Sequence, residues 1–117
     1  MITASVTGNV GKQPELKTTA AGKPMATFSV ASSYKKDGRD PITTWIDVLC
    51  FDEQASVVCE RLGKGDRVVV SGKLSIEKYQ KKDGQEGTSV RLLADEVALS
   101  LRFPKRETAN EAADRVW

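Results

Sequence analysis

The chain predicts an all-β barrel interrupted by one short α-helix between the third and fourth predicted strands, and three observations carry that reading. Apolar residues alternate with polar ones at the strand period of two in several separate segments. One stretch alone, with Ala55, Val58, Cys59 and Leu62 at i, i+3, i+4 and i+7, has the spacing of a helix. Asp-Gly pairs at 37–38 and 83–84 stand between alternating runs, where glycine tolerates the positive φ of a tight turn and aspartate can hydrogen-bond its own backbone.

The elements follow in order. Ile2, Ala4 and Val6 alternate with Thr3, Ser5 and Thr7 until Gly8-Asn9 breaks the run. After the punctuation of Gly22-Lys23-Pro24, Ala26, Phe28 and Val30 alternate with Thr27, Ser29 and Ala31. In the third strand Ile46, Val48 and Cys50 form the inner set, and the even spacing of Trp45 and Phe51 puts both rings on the other face. The helix is expected from Asp52 to Leu62, with Asp52 capping its first turn and Gly63 ending it. Val68 to Gly72 and Leu74 to Ile76 continue as one long bent strand, with Gly72 as a kink or bulge. Val90 to Ala94 and Val97 to Leu101 complete the set. Three strands, a helix and then further strands is the order of an OB-fold, a Greek-key barrel whose sheet face and connecting loops bind oligonucleotides.

Composition narrows the function. At 117 residues, with 39% hydrophobic and 29% charged, the chain is expected to form one domain with a modest core, residues 1–102, followed by a short charged C-terminal segment, 103–117. No apolar run is long enough to span a bilayer, and residues 1–15 lack the layout of a secretory signal, which predicts an intracellular protein away from membranes. Histidine is absent. Cys50 and Cys59 fall in apolar stripes and read as small buried hydrophobes in a reducing compartment, without the partners of a zinc site or a nucleophilic thiol. No phosphate-cradling Gly-Lys-Ser/Thr loop, Gly-x-Ser-x-Gly elbow or His-Glu-x-x-His is present. These observations predict neither an enzyme nor a metal or cofactor site.

Charge and aromatic residues cluster in two fingers. Net charge is only +2, so an electropositive surface depends on placement. The first finger is Tyr34-Lys35-Lys36-Asp37-Gly38-Arg39 and the second Lys78-Tyr79-Gln80-Lys81-Lys82-Asp83-Gly84. Lysine-rich hairpins also serve to keep sheet edges soluble. Rings interleaved with cations, together with Trp45 and Phe51 between the fingers, match what a single-stranded nucleic acid requires: stacking for bases and positive charge for phosphates. Stacking is assigned to Trp45, Phe51, Tyr79 and Tyr34, and phosphate contact to Lys35, Lys36, Arg39, Lys64, Lys73, Lys78, Lys81 and Lys82. Lys64 and Lys73 fit ordinary surface positions equally well. The competing reading is an OB-fold protein-interaction or scaffolding module of a primosome-like assembly, with Trp45 and Phe51 as interface anchors.

Val6-Thr7-Gly8-Asn9-Val10-Gly11, Pro14-Glu15-Leu16, Ala26-Thr27-Phe28-Ser29-Val30-Ala31, Thr44-Trp45, Phe51, Ala55, Leu62, Lys64-Gly65-Asp66 and Val70-Ser71-Gly72-Lys73-Leu74 together resemble the bacterial-type single-stranded DNA-binding protein family. The likeness runs from about residue 2 to residue 101. It implies a sequence-tolerant binder of single-stranded DNA in replication, repair or recombination, a cofactor-free homo-oligomer, usually a tetramer, in the nucleoid-associated cytoplasm. It also implies stacking roles for Trp45, Phe51 and Tyr79. Tyr34 stands slightly before the family's usual loop aromatic, where this chain has Lys35 and Lys36. Asp47 and Glu77 share the faces of the rings where relatives commonly carry basic residues. The family's long linker and acidic tip have no counterpart in the short charged segment 103–117, so partners that dock on such a tip are not expected. The resemblance is therefore to a paralogue-like or tail-less form.

Overall fold

Residues 1–35 and 37–101 are described by a computed structural model; Lys36 and the expected C-terminal segment lie outside the described residues. The alternating runs become strands β1 (Ile2–Val10), β2 (Glu15–Thr18), β3 (Pro24–Tyr34) and β4 (Ile42–Phe51), then helix α1 (Asp52–Arg61), then β5 (Arg67–Gln80) and β6 (Glu86–Leu99). Hydrogen bonding runs in the order β1-β5-β6-β4-β3-β2, and a further pairing of Asn9 and Val10 with Ala31 and Val30 joins β1 to β3. That contact closes the barrel and leaves β2 as an extension on the outer half of β3. The architecture is the expected OB-fold. The helix falls between β4 and β5 in the observed numbering because β2 adds a strand that alternation did not reveal: all four of its residues are exposed.

Burial follows the period of two. Ala26, Phe28 and Val30 from β3, Ile46, Val48 and Cys50 from β4, Val68 and Val70 from β5 and Leu92 from β6 point into one core, with Ala55, Val58 and Leu62 of the helix side closing it. The two last predicted strands are one. A bulge causes the break in pattern: Ser71 pairs Glu96, Gly72 pairs Ala94, and Asp95 is the extra residue between them. Gly72 sits where the strands approach closely, since a Cβ there would strike the Leu93 carbonyl. Beside the bulge the Val97 amide donates instead to Gln54 Oε1 of the helix, 3.0 Å away.

Both ends of α1 differ from expectation. Phe51 is the N-cap, and no side chain caps the first turn. β4 stays paired through Phe51, so the chain must turn within one residue, and Asp52 does so with a left-handed φ of 59°. At the other end Leu62 is the C-cap in an extended conformation, with its amide donating to the Val58 carbonyl at 2.9 Å. Gly63 does not take the left-handed cap conformation; its amide donates to the carboxylate of buried Asp66 at 2.9 Å, and Gln13 Nε2 donates to the Leu62 carbonyl.

Cys50 and Cys59 are both free thiols, the first buried and the second partly so. Burial, followed by the proximity of Cys59, pushes the Cys50 thiol up to about 11, against the effect of its hydrogen bond to the Ala26 carbonyl. The ordinary value is 9.0, so between pH 9 and about 11 the unfolded thiol ionises while the folded one holds its proton. The unfolded state then binds fewer protons, and stability should fall with rising pH by up to roughly 2–3 kcal/mol across that window. Denaturant melts on either side of it should show this loss in the wild type and a smaller one in Cys50→Ala, where Cys59, whose thiol burial also pushes up, remains.

Candidate nucleic-acid interface

Register decides which side chains share the outer face. On β4 the residues Trp45, Asp47, Leu49 and Phe51 alternate with the buried Ile46, Val48 and Cys50. β4 pairs in parallel with β6, Asp47 opposite Arg91 and Leu49 opposite Leu93, and β6 pairs β5 with Arg91 opposite Ser75 and Leu93 opposite Lys73. Paired residues point to the same side of a sheet. Trp45, Phe51, Lys73, Glu77, Tyr79 and Arg91 therefore occupy one continuous surface. Trp45 and Tyr79 meet across an open groove of about 390 Å³, whose lining also includes Asp47, Glu77, Thr88, Ser89 and Arg91.

The two rings at this groove are propped from behind by glycine. Trp45 is 56% exposed and Tyr79 49%, which leaves roughly half of each ring free. The six-membered ring of Trp45 lies over Gly11, where a Cβ would come within 2.8 Å of Cη2. Tyr79 lies over its cross-strand partner Gly87, where a Cβ would fall 2.5 Å from Cζ. Each ring thus rests on bare backbone. A base stacking there meets a side chain already held in place, so less conformational entropy is lost on binding.

The remaining sequence-assigned residues are distributed more widely. Phe51 shares the outer face but stands six residues along β4 from Trp45, about 20 Å at strand rise, and lines no part of the ring groove. Tyr34 pairs with Ile42 and Lys78 with Thr88, which places both on the reverse side of the hairpin arms from Trp45 and Tyr79. Lys35 and Arg39 are in the β3–β4 loop, and Lys81 and Lys82 in the β5–β6 loop; all four are exposed. Both expected Asp-Gly turns form, with φ of 74° at Gly38 and 87° at Gly84. The second is fixed by Lys81 donating to the Gln85 carbonyl at 2.7 Å and Gln85 donating to Asp83 Oδ1 at 3.0 Å. Lys64 lies in the turn after α1, at the barrel end and away from the groove. Lys73 lies on the outer face.

Asp47 and Glu77 both line the ring groove, as their spacing predicted. Arg91, which sequence reasoning did not single out, stands opposite Asp47 and supplies a cation on the same face. Its one signal was parity: Arg91 interrupts the apolar run from Val90 to Leu93 at an outward position. Among the described residues no group of three or more His, Cys, Asp or Glu could hold a metal ion, and no helix is long and apolar enough to cross a membrane.

If the glycines prop the rings, Gly11→Ala and Gly87→Ala should displace Trp45 and Tyr79 while leaving the barrel intact, because the clash falls on the end of a movable side chain. Gly72→Ala should instead cost about 1–3 kcal/mol, since the clash is with backbone. Tryptophan emission and ring proton shifts read the first effect, and thermal melting the second.

The chain is similar to known proteins. The model of the single-strand binding protein family matches residues 1–100. A single-stranded DNA-binding protein of Paenarthrobacter aurescens is 36% identical over 107 residues, 86% of this chain and 63% of the relative. The like-named protein of Corynebacterium glutamicum is 33% identical over 109 residues, covering 88% of this chain and 48% of the relative. This chain thus spans less than two thirds of the length of these relatives. The crystal structure of the small single-stranded DNA-binding protein from Streptomyces coelicolor superposes with a TM-score of 0.71 at 25% identity, covering 86% of this chain and 94% of that one. With the closed barrel, the placed helix and a family match over nearly all the described residues, the chain belongs to the single-strand binding protein family.

Proposed function

We propose that this protein binds single-stranded DNA with little regard to sequence, stacking bases on Trp45 and Tyr79 and holding phosphates with the surrounding cations. The observation that carries the reading is the pair of half-exposed rings, each backed by a glycine, on either side of one groove. Stacking tolerates any base because every base has a π face. Phe51 serves as an outer platform and Lys35, Lys36, Arg39, Lys73, Lys81 and Lys82 as phosphate contacts, while Tyr34 and Lys78 on the reverse side of the arms and Lys64 away from the groove serve only a strand that wraps beyond it. The similarity to single-stranded DNA-binding proteins supports the same reading. It is equilibrium binding without bond chemistry, carried by a domain of residues 1–102 and used in replication, repair or recombination in the nucleoid-associated cytoplasm.

Titration with oligo-dT tests it. In a Trp117→Phe background, which removes the second emitter, oligo-dT should quench Trp45. Log affinity should fall against log salt at about 0.7 per phosphate neutralised, with a salt-tolerant remainder from stacking. Trp45→Ala should weaken binding by roughly 1–3 kcal/mol and leave the melting temperature nearly unchanged, as suits a ring outside the core. No quenching at all would favour a protein-interaction module in its place, and a large drop in melting temperature would make Trp45 part of the core.

The binding unit is proposed to be a homo-oligomer, a tetramer by family resemblance. One barrel offers only a short groove, and Ile2, Leu16 and Leu99 are each about half exposed on its strands. Closed symmetry is the usual arrangement for such assemblies. Light scattering on the DNA-free protein should return a mass near four times that of one chain, and a monomer at micromolar concentration would refute it.

A further inference from the structure

A second groove adjoins the first on the same outer face. Its volume is about 360 Å³, and it shares Asp47 and Arg91 with the ring groove. From there it runs past Leu49 and Thr27 to Lys12 and Lys17. Register places it independently: Leu49 pairs Thr27 of β3, Thr27 pairs Glu15 of β2, and Lys17 follows on the same face. Four inter-strand steps separate Tyr79 on β5 from Lys17 on β2, about 19 Å across the sheet.

The two grooves differ in charge. Around the rings Arg91 faces two carboxylates, Asp47 and Glu77, so this groove suits bases and repels phosphates. The second reverses the balance, with Lys12, Lys17 and Arg91 against Glu15 and Asp47, and its lining carries no aromatic ring on the outer face. A strand whose bases stack on Trp45 and Tyr79 needs cations for the phosphates that follow, and among the described residues Arg91 is the one cation lining the ring groove. We propose that single-stranded DNA continues over Arg91 into this second groove, where Lys12 and Lys17 form a phosphate-binding subsite. Arg91 lies at the junction and serves both segments. The extent across the sheet fits the roughly 4–16 nucleotides that one OB-fold engages.

This inference rests on the proposed DNA binding, and its test separates the two. Wild type, Lys12→Ala/Lys17→Ala, Arg91→Ala and a control, Lys23→Ala, whose lysine lies in the β2–β3 turn and lines neither groove, are titrated with oligo-dT of about 4 and about 16 nucleotides at several salt concentrations. For the longer strand the double variant should bind several-fold more weakly and lose about 1.4 from its salt slope, two phosphates' worth. Quenching of Trp45 at saturation should stay complete, the short strand should bind as to wild type, and Lys23→Ala should change neither. Arg91→Ala should weaken both lengths. If wild type binds and the double variant keeps the full slope and affinity, the subsite is overturned while stacking stands; if wild type itself fails to bind, the functional reading falls with it.

Discussion

Three residues of parallel pairing, Asp47–Leu49 against Arg91–Leu93, govern where every candidate binding group ends up. The other pairings of this barrel are antiparallel and several are long, as in β3–β4 and β5–β6. Parallel neighbours cannot be joined by a tight turn, so the chain must leave β4, pass through α1 and β5 and return as β6 between its two partners. That insertion brings the hairpin bearing Tyr79 alongside the strand bearing Trp45. A slip of one residue would exchange Arg91 for Leu92 on the outer face, bury a cation and empty the core of one of its largest side chains. The cost of such a slip is what makes a short pairing sufficient to fix the register.

Glycine supplies the second constraint, and it acts through space more than through backbone freedom. At Gly11 and Gly87 the missing Cβ is filled by an aromatic ring, and at Gly72 by a neighbouring carbonyl beside the Asp95 bulge. The bulge bends the pair so that the start of β5 and the end of β6 belong to the barrel, while the end of β5 and the start of β6 reach past it as a hairpin arm. Curvature and ring placement are thus coupled: the same pair of strands that closes the core carries Tyr79 and its glycine support outward.

Much of this was legible in the sequence, and the failures have identifiable causes. The inner and outer sets of β3 and β4, the helical stripe, the kink at Gly72 and both Asp-Gly turns all follow from local chemistry, and all appear where expected. β2 escaped because a fully exposed strand on an extension has no alternation to display. β6 read as two strands because Asp95 resets its phase, so that Ala94 and Val97 both turn inward. The Asp52 cap failed because pairing through Phe51 forces a left-handed turn there, a tertiary demand that overrides a local preference. Tyr34 and Lys78 belong to the two expected fingers, yet which side of a hairpin arm they occupy depends on register counted from the core. Arg91, Lys12 and Lys17 went unnoticed for the same reason: each stands alone in sequence, and only the order β6-β4-β3-β2 sets them in a row.

The distribution of charge gives that row its meaning. A net charge of +2 cannot attract a polyanion by long-range field alone, since exposed charges are largely screened beyond about 8–10 Å in physiological salt. For the proposed binding, affinity would then come from short-range contacts, stacking at the rings and individual cations met one at a time along the face. The carboxylates of Asp47 and Glu77 sharpen this division, because they disfavour phosphates where the bases belong and leave the flanking lysines as the favourable places for the backbone. Stacking and charge neutralisation are consequently separated across the sheet by a few strands, which allows one to be weakened without the other. On the proposed binding, a surface built in this way would hold a strand across the barrel despite having almost no net charge to draw it in.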